Sequence, residues 1–334
     1  MDRFISRAGV TRQRILRGGL AAGVAAALPL RVRAAERVSY AFPAPPFLPS
    51  FTPINVAHLK GYYREAGLDV EFHAVAGGVE VARRVADGQF DLGGATGDTP
   101  ILARARGVPV KALAVLGGKS MTQIVIRRGS GIFAPEHFRG KTISVTSLTD
   151  TTYFTLLGFL ASIGIRPEEV RIAAVGPVEV YQTLIDGKAD AMAGVPDWVV
   201  AAQRSGLATM VFRSDEFFPS LAQALIASDR TIAARPQVLQ AFVHATMRGL
   251  ADTLREPDAA ASLVARHFPQ HRGQEAVVAD VVRYFVRHVY PGQAMPGEIN
   301  PQRLAKVQAF YLNRHIIERE TPLRELYTPQ FLAA

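Results

Sequence analysis

The chain has 334 residues, 49% of them hydrophobic and 20% charged, a balance that reads as globular and excludes an intrinsically disordered chain. It contains no cysteine, which excludes disulfides, a thiol nucleophile, a cysteine metal site and a lipid-modified cysteine. The net charge of +9 is uneven: the first 34 residues hold seven of the 38 basic residues and one of the 29 acidic ones, so the remainder carries +3 and makes no case for nucleic-acid binding.

Those first 34 residues read as a secretory signal peptide. Arg3, Arg7, Arg12, Arg14 and Arg17 form a basic leader, "GGLAAGVAAALPL" an apolar core of small residues, and "VRA" at 32–34 a small-residue cleavage site. The apolar run has 13 residues, short of the ~20 a helix needs to span a bilayer. "TRQRIL" resembles a twin-arginine export signal whose pair is split by Gln13. A periplasmic or otherwise exported protein is expected, stabilised by its core without disulfides.

From Arg37 onward short apolar strands alternate with amphipathic helices. "RVSYAF" reads as a strand, ended by the proline-rich "PAPPFLPSFTP". "INVAHLKGYYREAG" reads as one helix stopped at Gly67, "LDVEFHAV" as a strand and "GGVEVARRVADGQ" as a short helix. "FDLGGAT" is a strand, "TPILARARG" a helix with Pro100 in its first turn, and "VPVKALAVLG" another strand. This order predicts a largely parallel sheet covered by helices. Gly93 and Gly94 read as a tight turn at a strand end.

After a crossing strand, "TQIVIRRG", the pattern restarts. "KTISVTS", "VRIAAV" and "AMAGV" read as strands, each followed by a helix: "DTTYFTLLGFLASIG", "VEVYQTLIDGKAD" and "PDWVVAAQRSG". "ATMVFRS" and "LAQALIAS" are further strands. Two pieces align by eye, "VARRVADGQFDLGGATGDTPILARARG" and "TLIDGKADAMAGVPDWVVAAQRSG". Each is a helix, a short strand, a turn holding an acid and a proline, and a second helix ending in Gly, which predicts two lobes on one plan. The tail is helical. "RPQVLQAFVHATMRGLADTLREP" puts Val238, Leu239, Phe242, Val243, Leu250 and Leu254 at helical spacing, and "EAVVADVVRYFVRHVY" and "PQRLAKVQAFYLNRHI" repeat that character as core-packing stripes.

Most catalytic motifs fail. "GGKS" and "GKT" lack the first glycine of a phosphate loop, and Gly93, Gly94 and Gly97 lack dinucleotide-fingerprint spacing. There is no G-x-S-x-G elbow and no HExxH; His267 and His271 are separated by a helix-breaking Phe268-Pro269. No catalytic residue, metal or cofactor is expected. What remains are polar residues at strand-to-helix turns, where parallel α/β sheets bind ligands and helices expose free N–H groups. Thr96, Gly97 and Asp98 hold that place in the first half; Thr149, Thr151, Thr152 and Tyr153 hold it in "TSLTDTTYF"; Pro196, Asp197 and Trp198 hold it after "AMAGV". Asp98, Asp150 and Asp197 read equally as helix caps or ligand contacts, whereas the hydroxyls grouped with Tyr153 favour ligand. Trp198, the single tryptophan, reads equally as core or ligand wall. Phe42, Pro46 and Phe47 read as an apolar wall or as part of a rigid linker, with Asn55 starting the next helix.

Together these pieces resemble the periplasmic solute-binding proteins of ABC importers, in the group that binds sulfonates, nitrate, taurine and thiamine-pyrimidine precursors. "HLKGYYREAGLDVEF", "VADGQFDLGGATGDTPILARARGVPVKALAVL", "FRGKTISVTSLTDTTYFTLLGFLASIGIRPEEVRI" and "VYQTLIDGKADAMAGVPDWVVAAQRSG" carry the resemblance. It implies two α/β lobes of mostly parallel sheet: 35–125 with 220–334, and 126–219. The crossings would fall near 124–128 and 211–225, with the ligand between lobes that close by a hinge. It places the contacts on Phe42, Pro46 and Phe47, on Thr96 to Asp98, on the "SLTDTT" turn, on Gly176 and on the Pro196–Trp198 turn. The family often has serine or glycine where this chain has Thr96 and Asp98, and an aromatic or glutamate-proline pair where it has Val195, Pro196 and Asp197. Acids there disfavour sulfonate or nitrate and suit an amine, amide or hydroxyl donor. The implied function is capture of a sulfonate-, aromatic acid- or pyrimidine-like solute by a monomer and delivery to an ABC permease. The alternatives are an enzyme on the same fold, such as a pyrimidine-precursor synthase, or a sensor partner. The resemblance ties the synthase and a related desulfinase to cysteines that this chain lacks.

Overall fold

A computed structural model describes residues 35–177 and 179–333; the expected signal peptide lies outside the described residues. The strands are β1 (Glu36–Phe42), β2 (Leu68–Ala74), β3 (Leu92–Thr96), β4 (Val110–Val115), β5 (Gln123–Arg127), β6 (Thr142–Val145), β7 (Arg171–Ala174), β8 (Ala191–Gly194), β9 (Thr209–Arg213) and β10 (Gln223–Ser228). They form two five-stranded sheets in the orders β2-β1-β3-β10-β4 and β7-β6-β8-β5-β9. In each sheet four strands run one way and one runs against them, because β10 is antiparallel to β3 and β4 and β5 is antiparallel to β8 and β9. The reversed strand is in each case the one by which the chain enters that sheet from the other. The sheets are therefore mixed in pairing yet mostly parallel in direction, as expected.

The chain leaves the first sheet after Val115 and reaches the second at Gln123; it leaves the second after Arg213 and returns at Gln223. The crossing expected near 124–128 lies earlier than that. Those residues belong to β5, buried between two neighbours, with Ile124 and Ile126 in one core cluster and Val125 in the cluster on the other face. Its apolar character comes from burial on both faces, not from bridging. The two self-similar sequence pieces fold as equivalent units. Helices α3 (Gly78–Ala86) and α4 (Thr99–Ala105) flank β3, and α6 (Glu179–Ile185) and α7 (Pro196–Arg204) flank β8; both strands are third in their sheets, beside the reversed strand.

The helix expected over 54–67 is two helices, α1 (Thr52–Leu59) and α2 (Tyr62–Glu65), broken at Gly61, which adopts φ +80°. The break turns Tyr63 into the core, where its ring stacks on Phe242 at 4.7 Å. Gly93 and Gly94 do not form a turn either. They lie inside β3, where a Cβ would fall 2.2 Å from Val81 and 2.6 Å from the Tyr40 hydroxyl, so the glycines permit close packing rather than a bend.

α5 (Thr151–Ser162) covers the second sheet, and the tail contains α8 (Asp229–Ala234), α9 (Pro236–Arg255), α10 (Pro257–His267), α11 (Glu275–His288), α12 (Pro301–Asn313) and α13 (Leu323–Leu326). On α9, Leu239, Phe242, Val243 and Leu250 are buried and Val238 is partly so. Leu254 is exposed instead, because the buried side of that last turn is taken by Asp252 and Thr253, the former held by Lys60 and Tyr62. No helix among the described residues is long and apolar enough to cross a membrane.

Candidate functional site

The turn after β3 packs against the returning chain segment. Gly97 N–H donates to the Ala222 carbonyl at 2.9 Å, and a Cβ on Gly97 would lie 2.8 Å from Leu221 and 3.0 Å from Val115. The Thr96 and Thr99 hydroxyls pair at 2.9 Å. Asp98 is 1% exposed and makes no capping bond to α4. Its Oδ2 accepts from the Tyr311 hydroxyl on α12, and its Oδ1 meets no hydrogen-bond partner. Burial pushes the Asp98 carboxyl above its usual range; the Tyr311 and Thr96 hydroxyls oppose the shift and the charge of Asp150 adds to it.

The turn after β6 behaves differently. Asp150 is a true N-cap, its Oδ1 accepting from Thr152 N–H at 2.8 Å and from Thr152 Oγ1 at 2.6 Å. The Thr152 hydroxyl is therefore spent on the cap. Thr149 is exposed, and Thr151 is half-buried with its carbonyl accepting from Thr155. Tyr153 packs on both the first-sheet core and that of the second sheet. Gly176 adopts φ +84° and donates its N–H to the Thr146 carbonyl at 2.9 Å, while Thr146 Oγ1 is buried without a partner.

After β8, Val195 is the N-cap residue and Pro196 opens α7. Asp197 stands in the first turn without capping it. The residue as a whole is half-buried, yet its carboxylate is shut in: Oδ2 accepts from Ser50 Oγ of the segment after β1, and Oδ1 has no partner. Burial raises its carboxyl above the usual range, against the Ser50 bond and nearby His271. Trp198 is half-buried and packs on the core of that face of the second sheet, so part of it serves as core.

The first loop is pinned rather than free. Asn55 lies within α1, not at its start, and donates from Nδ2 to the Pro46 carbonyl at 2.8 Å. The Phe47 carbonyl pairs with His271 Nε2 at 2.7 Å, and the two rings meet edge to face at 6.0 Å. Phe42 has no exposed surface; its ring packs on Tyr40, Phe51 and Phe72 at 4.8, 4.7 and 5.1 Å, which makes it core and not a cleft wall.

Tertiary structure brings in residues that sequence reasoning missed. Gln123, first in β5 and paired with Gly194, is fully buried. Its Nε2 faces the carbonyls of Ser120 and Met121, which orients the amide and leaves Oε1 without a partner. Ser50 and Tyr311 lie 147 and 213 positions from the aspartates they hold, so no local signal marks them.

Residues 48–260 match the family model described as NMT1/THI5 like. The chain belongs to the NMT1/THI5-like family. This family member is 27% identical over 288 residues to riboflavin-binding protein RibY of Chloroflexus aurantiacus, 84% of this chain and 82% of that protein. It is 24% identical over 300 residues to the 4-amino-5-hydroxymethyl-2-methylpyrimidine phosphate synthase of Legionella pneumophila subsp. pneumophila, 85% of this chain and 89% of that one. Among solved structures, the periplasmic aliphatic sulphonate binding protein SsuA from Escherichia coli superposes with a TM-score of 0.70 at 16% identity, covering 89% of this chain and 93% of that one. The NMT1/THI5-like chain thus has the two-sheet α/β fold of periplasmic solute-binding proteins.

In this NMT1/THI5-like chain the lobes meet at the strand-end turns. Besides Ser50 with Asp197, Arg204 of α7 pairs with Asp280 of α11, and Phe154 of α5 packs on Tyr311 at 5.6 Å. Two open concavities lie elsewhere. One is bordered by Gly118, Glu298 and Arg303, and the other by Arg104 and Glu320. Neither is lined by Asp98 or Asp197. Among the described residues no group of three or more His, Asp or Glu side chains is arranged to hold a metal ion.

Proposed function

We propose that the chain is the solute-capturing component of an ABC importer. It works in the periplasm as a monomer, encloses a small organic solute between its two sheets and hands it to a membrane permease. The observation that carries this reading is that, among the described residues, four of the six buried side-chain polar atoms without partners lie at strand ends, Asp98 Oδ1 in the first sheet and Gln123 Oε1, Thr146 Oγ1 and Asp197 Oδ1 in the second; the other two are the Tyr40 hydroxyl within β1 and Asp215 Oδ1 in the returning segment. Folded proteins leave few such atoms unpaired, since each costs about 1–3 kcal/mol. Their concentration at the turns where α/β sheets take ligands supports a binding site there. The bond from Ser50 to Asp197 supports closure of one lobe on the other. The riboflavin-binding relative, which matches most of the chain, supports a non-catalytic role with a heterocyclic solute.

A second reading, an enzyme that builds a pyrimidine, is favoured by the synthase relatives. Thermal melting against a panel of sulfonates, aromatic acids, pyrimidines and flavins separates the two. A bound solute at 100 times its dissociation constant adds about 2.7 kcal/mol to stability by mass action. Solute recovered chemically unchanged with a raised midpoint is the expected outcome. Turnover of a pyrimidine precursor with no shift from any solute abandons the transport reading.

A further inference from the structure

We propose that the concavity where the chain crosses between the two sheets is a second binding site, which seats a small zwitterion of the α-amino-acid class with its carboxylate on Arg303 and its ammonium group on Glu298. It stands apart from the strand-end turns and goes beyond the solute-capturing reading.

The border of this concavity draws on separate pieces of chain: Gly118 of the outgoing segment, Leu221 of the returning one, and Gln293, Glu298, Asn300 and Arg303 on the stretch that runs from α11 into α12. Backbone bonds tie the outgoing segment to that stretch. Gly118 N–H donates to the Tyr290 carbonyl at 3.3 Å and Lys119 N–H to the Val289 carbonyl at 3.0 Å.

Arg303 brings a positive charge that the protein leaves unmatched. It is half-buried, and its guanidinium donates to the carbonyls of Gly118, Pro219 and Ser220, with no carboxylate bonded to it among the described residues. Burial lowers its pKa, opposed only by the charges of Asp215 and Asp98, which marks a cation short of a counter-ion. The carbonyls engage the N–H on Nε and one on each terminal nitrogen, so each terminal nitrogen keeps a second N–H. Such groups suit a carboxylate.

Glu298 borders the same space without pairing with Arg303. Its Oε2 accepts from the N–H groups of Ala294 and Met295 at 3.1 and 3.4 Å, which holds the carboxylate on its own loop and leaves Oε1 without a protein partner. The neighbouring amides divide in the same way. Gln293 Nε2 donates to the carbonyls of Val115 and Glu298 at 2.8 and 2.7 Å, which leaves its Oε1 to accept. Asn300 Oδ1 caps α12 by accepting from Arg303 N–H at 2.9 Å, which leaves its Nδ2 to donate. The border therefore offers donors from Arg303 and Asn300 and acceptors from Glu298 and Gln293. A lone anion meets the charge of Glu298 and a lone cation that of Arg303, whereas a molecule carrying both charges avoids each repulsion. An occupant also touches both crossing segments. If it prefers one arrangement of the sheets it changes the affinity for solute, and solute changes the affinity for it by the same factor.

The test is calorimetric titration of the purified protein with L-alanine, L-serine and L-glutamine, and with propionate and propylamine, which carry one charge each. We expect at least one amino acid to bind roughly tenfold or more tightly than either single-charge probe. Two variants locate the site. Glu298→Gln keeps an oxygen for the Ala294 and Met295 N–H groups and removes the charge; Asn300→Ser keeps a helix cap and removes the amide donor. Each is expected to weaken the amino acid, Glu298→Gln by roughly tenfold or more, with a melting midpoint near that of the parent. No heat from any of the amino acids overturns the proposal, as does propionate or propylamine binding equally well. Unchanged amino-acid affinity in both variants places that ligand elsewhere in the molecule; it too overturns the proposal while leaving the solute-binding reading intact. If Glu298→Gln does not fold, Asn300→Ser and the comparison of probes on the parent decide.

Discussion

Asp98 holds one oxygen on the Tyr311 hydroxyl and leaves the other without a partner in a site closed to solvent. Burial raises its carboxyl above the usual range. A raised acid pKa means the folded chain holds that proton more tightly than the unfolded chain does. The stabilising contribution is complete below the unfolded aspartate pKa and is lost as pH rises through the raised folded value. Asp98→Asn removes a buried charge while keeping an acceptor for Tyr311. It should raise the solute-free stability near neutral pH by about 1 kcal/mol, on the order of 2 °C in melting midpoint, and much less at pH 4. A midpoint difference that does not grow with pH between 4 and 8 contradicts that assignment. From the sequence, Asp98, Asp150 and Asp197 are equivalent: each is an acid at the start of a helix. Only Asp150 caps. The other two are captured by hydroxyls 213 and 147 positions away, a choice that no local pattern encodes.

At the scale of elements, each strand-to-helix turn of the candidate site is stabilised in its own way. The α5 turn relies on the Asp150 cap, with two donors from Thr152 on one oxygen. Asp150→Ala should cost about 1 kcal/mol, read as a lower denaturation midpoint at unchanged slope. A loss well beyond that would show that Asp150 does more than cap. The β3 turn relies on contact with the returning segment, and its glycine is a matter of space. Gly97→Ala places a Cβ 2.8 Å from Leu221 and 3.0 Å from Val115. The expected cost is about 1–3 kcal/mol, since a packed neighbour has to move. An alanine variant as stable as the parent would mean that the segment around Leu221 gives way freely.

At the scale of the whole molecule, Arg303 ties the two connecting segments together. Its guanidinium donates to the carbonyls of Pro219 and Ser220 on the returning segment and of Gly118 on the outgoing one. Around it Ser120 contacts both Ser214 and Ser220, so hydroxyls link the same two segments. Burial lowers the Arg303 pKa, against Asp215 and Asp98. Lysine cannot reproduce a planar fork that serves three carbonyls. Arg303→Lys should lower stability by about 2–3 kcal/mol in urea unfolding. It should also broaden the distribution of lobe separations seen in small-angle scattering. A compact, equally stable lysine variant would show that the segments hold each other without the arginine.

The sequence by itself determined most of the strand and helix order and the repeat of one plan in two sheets. Each of these follows from local periodicity, from proline and glycine punctuation and from strand-end geometry, all of which act over a few residues. It also determined the composition that leaves no cysteine chemistry. It did not determine that 124–127 is a buried strand rather than a bridge, that Gly61 divides a helix, that Phe42 is core, or that Gly93 and Gly94 serve packing. Nor did it determine which aspartates keep a free oxygen. Those outcomes depend on what lies across the molecule from each residue: Tyr311 beside Asp98, Ser50 beside Asp197, and Val81 against Gly93. Burial and hydrogen-bond partnership are set by neighbours distant in the chain, and only the packed fold brings them together.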